Sequence, residues 1–266
     1  MNCKSVSNHI INWLSKKLLS SRCDGFVVGV SGGVDSAVTS TLAAMTGKPV
    51  LCLNMPIRQE SSQFSRSLKH IEWLSLKFSN VEGHIVSLDE TLSGFESDLK
   101  NIDINDLAFA NLRSRLRMCA LYALANTKNY LVLGTGNKIE DYGIGFFTKY
   151  GDGGVDVSPI ADLLKSEVYE LASYFNIIED IQKAPPTDGL WPDNRGDEDQ
   201  IGATYDELEW AYGFAEMPKK EKLTERQYQV LDIYMNRHVA TKHKLQAPPV
   251  CLISDALKLE VNDENR

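Results

Sequence analysis

The sequence predicts an α/β fold, a doubly wound parallel sheet flanked by helices, and three observations predict it. Apolar runs of four or five residues alternate with longer stretches of helical spacing. The apolar runs lack the two-residue alternation of a half-exposed sheet, which marks strands covered on both faces. Two runs break into Gly-rich turns, Ser31-Gly32-Gly33 and Gly134-Thr135-Gly136. Both turns fall where parallel sheets hold ligands, beyond the carboxyl ends of the strands.

The elements follow in order. Ile10, Ile11, Trp13, Leu14, Leu18 and Leu19 stand at helical spacing and are too interrupted to form a signal-peptide core. Phe26-Val27-Val28-Gly29 is the first strand. Residues 34–45 read as a helix of small and apolar residues, ended by Gly47 and barred from continuing by Pro49. Residues 50–53 form a second strand. Phe64, Leu68, Ile71, Leu74 and Phe78 set a helix over 61–78, and the run at 84–88 is a third strand. A long helix over 105–127 precedes a fourth strand at 130–133. In the second half, 166–175, 205–215 and 224–245 read as helices. The Pro-, Gly- and Asp-rich stretch 185–200 is too polar for core, and a loop of that length is expected to be an active-site lid.

The 266 residues, 43% hydrophobic and 24% charged, suit one domain over 1–266 with a full core. A formal charge of −8 disfavours a broad nucleic-acid surface, and no apolar run reaches the roughly 18 residues of a membrane span. Five scattered cysteines without a C-x-x-C pair imply neither a disulfide framework nor a zinc site. They are expected to be reduced thiols, two or three of them buried, in a cytoplasmic protein. The acidic segment 260–264 is expected to fray.

The most informative segment is Gly29-Val30-Ser31-Gly32-Gly33-Val34-Asp35-Ser36. Glycine lets backbone approach an anion, the helix that follows aims free N–H groups and its dipole at it, and Ser31 and Ser36 add hydroxyls. Asp35 facing a phosphate makes physical sense with a cation between them, and Mg2+ suits hard oxygen ligands. The lysine of the G-x-x-x-x-G-K-[ST] loop is missing, so the loop is expected to hold the leaving pyrophosphate of ATP and leave the α-phosphorus open.

Gly134-Thr135-Gly136-Asn137-Lys138 lacks the third glycine of a dinucleotide fingerprint, with Ile139 in its place. Glu140 is a second hard ligand that could meet the same cation as Asp35. The segment 146–156 gathers aromatics, Lys149, Asp152 and Asp156 around three glycines without the carboxylate spacing of a calcium loop. Lys165 opens a helix and could bind phosphate. Arg113, Arg115 and Arg117, two apart, cannot share one helical face, so one is expected to turn toward the cleft and another away.

With these blocks in place, GVSGGVDSA at Gly29, NLRSRLRM at Asn111, GTGNKIE at Gly134, GFFTKYGDGGVDVSPIADLLKSEV at Gly145, PPTDGLWPDNRGDED at Pro185 and KHKLQAPP at Lys242, the chain resembles the ammonia-dependent NAD+ synthetases. These belong to the N-type ATP pyrophosphatases, of the adenine nucleotide alpha-hydrolase-like, Rossmann-like fold. The resemblance implies that the carboxylate of deamido-NAD+ attacks ATP, releasing pyrophosphate, and that ammonia then displaces AMP from the adenylate. It implies that residues 29–36, with Arg117, Thr135, Lys165 and Thr187, bind ATP. It further implies Mg2+ on Asp35 and Glu140, and deamido-NAD+ on Arg115, Lys149, Asp156, His243 and Lys244, with Asp152 near the ammonia. Asp35, Lys165 and Asp152 are the residues expected to carry the chemistry.

The chain departs from the family pattern in three places. It is one residue longer between GTGN and GFFTKYGD, which makes Asp141 an alternative to Glu140, although the distance from Gly134 favours Glu140. His243-Lys244 is followed by Leu245 where the family has Arg, and Ile139 replaces a frequent small polar residue. Only about 25 residues precede the first strand, so no N-terminal glutaminase domain is expected and free ammonia is the expected nitrogen donor. The resemblance also implies a homodimer, for which the apolar face of the 105–127 helix is a candidate contact or simply core. The competing readings are a tRNA-modifying adenylating enzyme of the same superfamily and a nucleotide-sensing module without turnover.

Overall fold

The computed structural model describes residues 1–191, 195–218, 220 and 222–258; the acidic segment 260–264 and positions 192–194 of the expected lid lie outside the described residues. Helix α1 (Cys3–Ser21) leads into β1 (Gly25–Gly29), α2 (Val34–Met45), β2 (Val50–Asn54), α3 (Ser61–Lys77) and β3 (Val81–Ile85). Then come α4 (Asp89–Asp98), α5 (Asp106–Lys128), β4 (Tyr130–Leu133) and a π-helical turn over Lys138–Gly143. The remainder is helical: α6 (Lys165–Tyr174), α7 (Glu179–Gln182), α8 (Asp197–Ile201), α9 (Tyr205–Glu216), α10 (Glu225–Leu245) and α11 (Asp255–Lys258).

The four strands form one parallel sheet in the order β3-β2-β1-β4. Strand order therefore runs outward from β1 to β3 and then reverses to β4, which creates a crevice between the ends of β1 and β4 of the kind that binds ligands in open α/β sheets. The buried runs are the expected ones. Phe26 and Val28 point to a core built with α1, α2 and α6, while Val27, Leu51 and Val132 point to a second core under α5. A third cluster joins Ile139 and Ile144 of the π turn to α9 and α10.

Two expectations need correction, and one choice left open, whether the apolar face of the 105–127 helix is a contact or core, is resolved. The third strand lies at Val81–Ile85 instead of 84–88, and residues 82–85 are exposed. It is the sheet edge, and Gly83 is what admits it, because a Cβ there would come within 2.3 Å of Ile71 on α3. The more apolar Val86 and Leu88 leave the sheet and pack in the core beneath α5. Among the cysteines, Cys52 alone is buried; Cys3 and Cys23 are half-buried, and Cys119 and Cys251 are exposed. The apolar face of α5, with Ala110, Leu116, Leu121 and Ala125, is core. No described helix is long and apolar enough to cross a membrane.

Candidate active site

The loop from β1 into α2 is built by its own side chains. Gly32 has φ +88°, and a Cβ there would lie 2.7 Å from the Gln63 carbonyl oxygen, so both backbone and space require glycine. Ser36 is buried, and its hydroxyl donates to the Gly33 carbonyl (3.0 Å) while accepting from the Ser31 amide (3.2 Å). Ser36 thus braces the turn, whereas Ser31 is exposed at its tip. Gly33 caps α2 without a side-chain partner, which leaves the first amides of α2 to an anion.

Opposite this turn lies the loop after β4. Asn137 is fully buried; its side-chain oxygen accepts from the amides of Ile139 (3.1 Å) and Glu140 (3.0 Å), and its Nδ2 donates to Asp35 Oδ1 (3.0 Å). One side chain therefore fixes both the start of the π turn and the orientation of Asp35. The Ile144 amide bonds to the Ile139 carbonyl, an i to i−5 closure that holds one residue more than an α turn. Within this turn Glu140 points into the site, where it meets Lys165.

Lys165, only 4% exposed at the first position of α6, ties the two loops together. Its Nζ donates to Asp35 Oδ2 at 2.6 Å and to Glu140 Oε1 at 2.9 Å. Burial by itself would lower the ammonium pKa, but the two carboxylates outweigh it and hold it above the ordinary lysine value. Burial raises Asp35. At Glu140 burial is overcome by Lys165 and by hydrogen bonds from Tyr205 and Asn137, which leave it below the usual range. Asp141 stays outside this ion pair; burial, then Asp152, Glu140 and Asp35, push it well up, and its carboxylate rests where a Cβ on Gly136 would be.

The cavity over these groups has a volume of about 680 Å³, within the range of small-molecule sites. It is lined by residues 29–36, by Arg117, Thr135, Glu140, Asp141, Asp152 and Lys165, and by Thr187 and Lys244. Asp152 accepts from the Ser114 hydroxyl (2.7 Å) and the Thr148 amide (2.9 Å), and burial raises its pKa. Arg117 is locked to the Met55 carbonyl (3.0 Å) and Gln59 (2.9 Å); burial and Arg113 push it down to about 10. Arg113, one helical turn away, donates to the carbonyl of Leu190, a residue of the cavity wall (2.7 Å), so Arg117 faces the cleft, Arg113 backs its wall, and Arg115 is exposed. Thr187 donates to the Arg195 carbonyl, and Pro185–Asp188, Leu190, Trp191 and Asp197 wall the cavity.

Four expected residues do not line the cavity. Arg115, Lys149 and His243 form a group of their own at its edge. Arg115 reaches the Lys149 carbonyl (3.4 Å), and Lys149 Nζ donates to the carbonyls of His243 (2.8 Å) and Gln246 (3.1 Å). Lys244 bridges to the cavity through the carbonyls of Gly145 and Phe147. Asp156 is spent on the fold, accepting from the Val132 amide (2.8 Å) and the Tyr122 hydroxyl (3.0 Å). Sequence reasoning missed Asn137, Tyr205 and Asp197. Tyr205 donates to Glu140, its ring lies 4.8 Å below Lys165 Nζ, and its hydroxyl is 3.3 Å from Asp197 Oδ2. For Asn137, a polar side chain directly after a Gly-rich turn is the signal that could have found it.

A Gly-rich loop opening a helix and a second carboxylate loop, facing each other across the reversal of a parallel sheet, define a protein of the adenine nucleotide alpha-hydrolase fold. Comparison narrows the class: the NAD synthase family model matches residues 6–248, and the chain belongs to that family. Among curated relatives, the NH(3)-dependent NAD(+) synthetase of Syntrophomonas wolfei is 37% identical over 97% of this chain and all of that protein. Among solved structures, the NMN synthetase of Francisella tularensis is 32% identical with a TM-score of 0.83, over 95% of this chain and all of the other. The NH3-dependent NAD synthetase of Campylobacter jejuni, in complex with nitrate, is 26% identical with a TM-score of 0.78 and the same coverage.

Proposed function

We propose that the protein amidates deamido-NAD+ with ammonia at the expense of ATP, giving NAD+, AMP and pyrophosphate. The observation that carries this reading is the meeting of Asp35 and Glu140 on one buried lysine, beside a loop whose helix amides are free. The tRNA-modifying alternative is not favoured, given the family and the relatives' names.

The chemistry follows from the groups present. The loop at Ser31–Gly33 and the N-terminus of α2 bind the β- and γ-phosphates, which become the leaving pyrophosphate. A carboxylate oxygen of the acceptor attacks the α-phosphorus as the bond to pyrophosphate breaks, giving an acyl-adenylate. Lys165 faces the phosphates and offsets the charge that grows on them. Ammonia then attacks the acyl carbon, sheds a proton and expels AMP; Asp152 and Lys244 both line the cavity, close enough for their charges to interact. No protein nucleophile is required.

Asp35 and Glu140 fit Mg2+. That ion is usually held by one or two carboxylates plus substrate phosphates, and these carboxylates converge on a single cationic point beside the phosphate loop. It would supply Lewis-acid stabilisation of the phosphoryl oxygens. The group at Arg115, Lys149, His243 and Lys244 is our candidate for the distal part of the acceptor. The segment 185–200 is our candidate lid, since its described residues Pro185–Asp188, Leu190, Trp191, Asp197 and Gln200 wall the cavity. A homodimer and a cytoplasmic location complete the reading, and exposed Phe95, Ile102 and Leu107 offer apolar surface for a second copy.

One observation favours a second acceptor. A solved structure at full coverage is that of an NMN synthetase, so nicotinate mononucleotide belongs in the test. The purified protein is given ATP, Mg2+ and either acceptor, with ammonium or glutamine as donor, and products are quantified. We expect NAD+ and AMP in equal amounts with ammonium and deamido-NAD+, and little with glutamine. A higher kcat/KM for the mononucleotide would move the protein to the second reading.

A further inference from the structure

We propose that Tyr205 is a positioning residue for this reaction: its hydroxyl fixes the carboxylate of Glu140 in the orientation in which it shares a divalent cation with Asp35. The proposal rests on the magnesium reading given above.

Tyr205 opens α9 at a well-defined place. Thr204 caps the helix by accepting from the Glu207 amide, and the Tyr205 amide donates to Glu198 of α8 (2.9 Å). The residue is 6% exposed, and its phenol O–H is a donor aimed at a carboxylate. That donor goes to Glu140 Oε1, the same oxygen that accepts from Lys165. The ring supports Lys165 from below at 4.8 Å, a cation–π distance.

A glutamate has three rotatable bonds, and Glu140 sits on a π turn with a wider bore than an α-helix. Its backbone alone does not determine where the carboxylate points. Asn137 sets the amide of Glu140, and Tyr205 sets the other end of the side chain. Partners of this kind orient metal-binding carboxylates, and their loss costs about 10- to 100-fold in metal affinity. The same hydroxyl lies 3.3 Å from Asp197 at the start of α8, so the carboxylate is also held in register with the segment that carries Thr187.

The test measures Mn2+ bound to the whole protein with a non-hydrolysable ATP analogue, by electron paramagnetic resonance of the free ion. Tyr205→Phe keeps the ring beneath Lys165 and removes only the donor. We expect the variant to bind Mn2+ about 10- to 100-fold more weakly. We expect the Mg2+ needed for half-maximal turnover to rise in parallel, with kcat at saturating Mg2+ within about threefold of wild type. In a Glu140→Gln background, Tyr205→Phe should add nothing further, and 4-aminophenylalanine at 205 should restore binding by restoring a donor. Equal Mn2+ affinity in wild type and Tyr205→Phe, or additive losses in the double variant, would overturn the proposal. Failure of the wild type itself to bind Mn2+ with the analogue would overturn the magnesium reading and the proposal with it. A Tyr205→Phe chain that does not fold leaves the 4-aminophenylalanine chain to decide, since weak Mn2+ binding there also overturns the proposal.

Discussion

Asp35 at the mouth of α2 and Lys165 at the first turn of α6 are 130 residues apart in sequence and meet at 2.6 Å in a buried ion pair. The pair joins the two halves of the chain at the point where the sheet reverses. Both residues occupy first turns of helices, so two positive helix ends and one ammonium converge on the place assigned to the phosphates. Asp35 and Glu140 are the counterweight.

Asp35→Ala should abolish adenylate formation. With the carboxylate gone, Lys165 retains Glu140, so the buried ammonium keeps a partner and the fold survives. We expect pyrophosphate release to fall at least about a hundredfold, with a circular dichroism spectrum like that of wild type. Turnover near wild type would remove the metal assignment.

Lys149→Ala tests the second group of cations. Lys149 lies outside the cavity and holds the backbone of His243 and Gln246 at the end of α10. Acceptor binding should weaken, seen as a higher KM for deamido-NAD+, while ATP binding is retained. An unchanged KM would sever this group from the acceptor.

Gly32→Ala tests the turn itself. A left-handed backbone costs an L-residue roughly 1–2 kcal/mol, and the added Cβ would also press on Gln63 at 2.7 Å. For a domain of this size about 1 kcal/mol is worth roughly 2–4 °C, so Tm should fall by at least that much and ATP affinity should fall with it. A variant with unchanged Tm and ATP affinity would contradict the turn geometry.

Asp197 gives a pH dependence. Burial, then Glu140 and Asp188, raise its carboxyl from 3.8 to about 7. A group whose folded pKa is raised contributes stability below its unfolded pKa and loses it as pH rises through the folded value. Wild type should therefore lose stability between about pH 4 and about pH 7 that Asp197→Asn does not lose. The asparagine can keep the bond that Asp197 accepts from the Asp188 amide (2.8 Å). Thermal unfolding of both proteins across that range should show Asp197→Asn gaining on wild type as pH rises. Parallel curves would mean that Asp197 ionises normally.

Much of this site was legible because its residues are local in sequence. Residues 29–36 are one turn, and the free amides of a helix N-terminus can be read from Gly-Gly before an apolar run. The choice of Glu140 over Asp141 also rested on local spacing, and Glu140 is the one that meets Lys165. What could not be read depends on long-range packing. Tyr205 looks like an ordinary helix residue until α9 folds back on the π turn, and Asp197 lies in a stretch that reads as solvated. The third strand was misplaced because an edge strand need not be apolar, and the apolar residues beside it belong to the core under α5.

The measurement that tests the central claim most directly follows one oxygen. Deamido-NAD+ labelled with 18O in both oxygens of its nicotinate carboxylate is converted with ATP, Mg2+ and ammonium, and the products are analysed by mass spectrometry. If the carboxylate attacks the α-phosphorus, each AMP carries one 18O and each NAD+ retains one in its amide. Unlabelled AMP, or label recovered in inorganic phosphate with ADP as the nucleotide product, would contradict an adenylate formed over Asp35, Glu140 and Lys165.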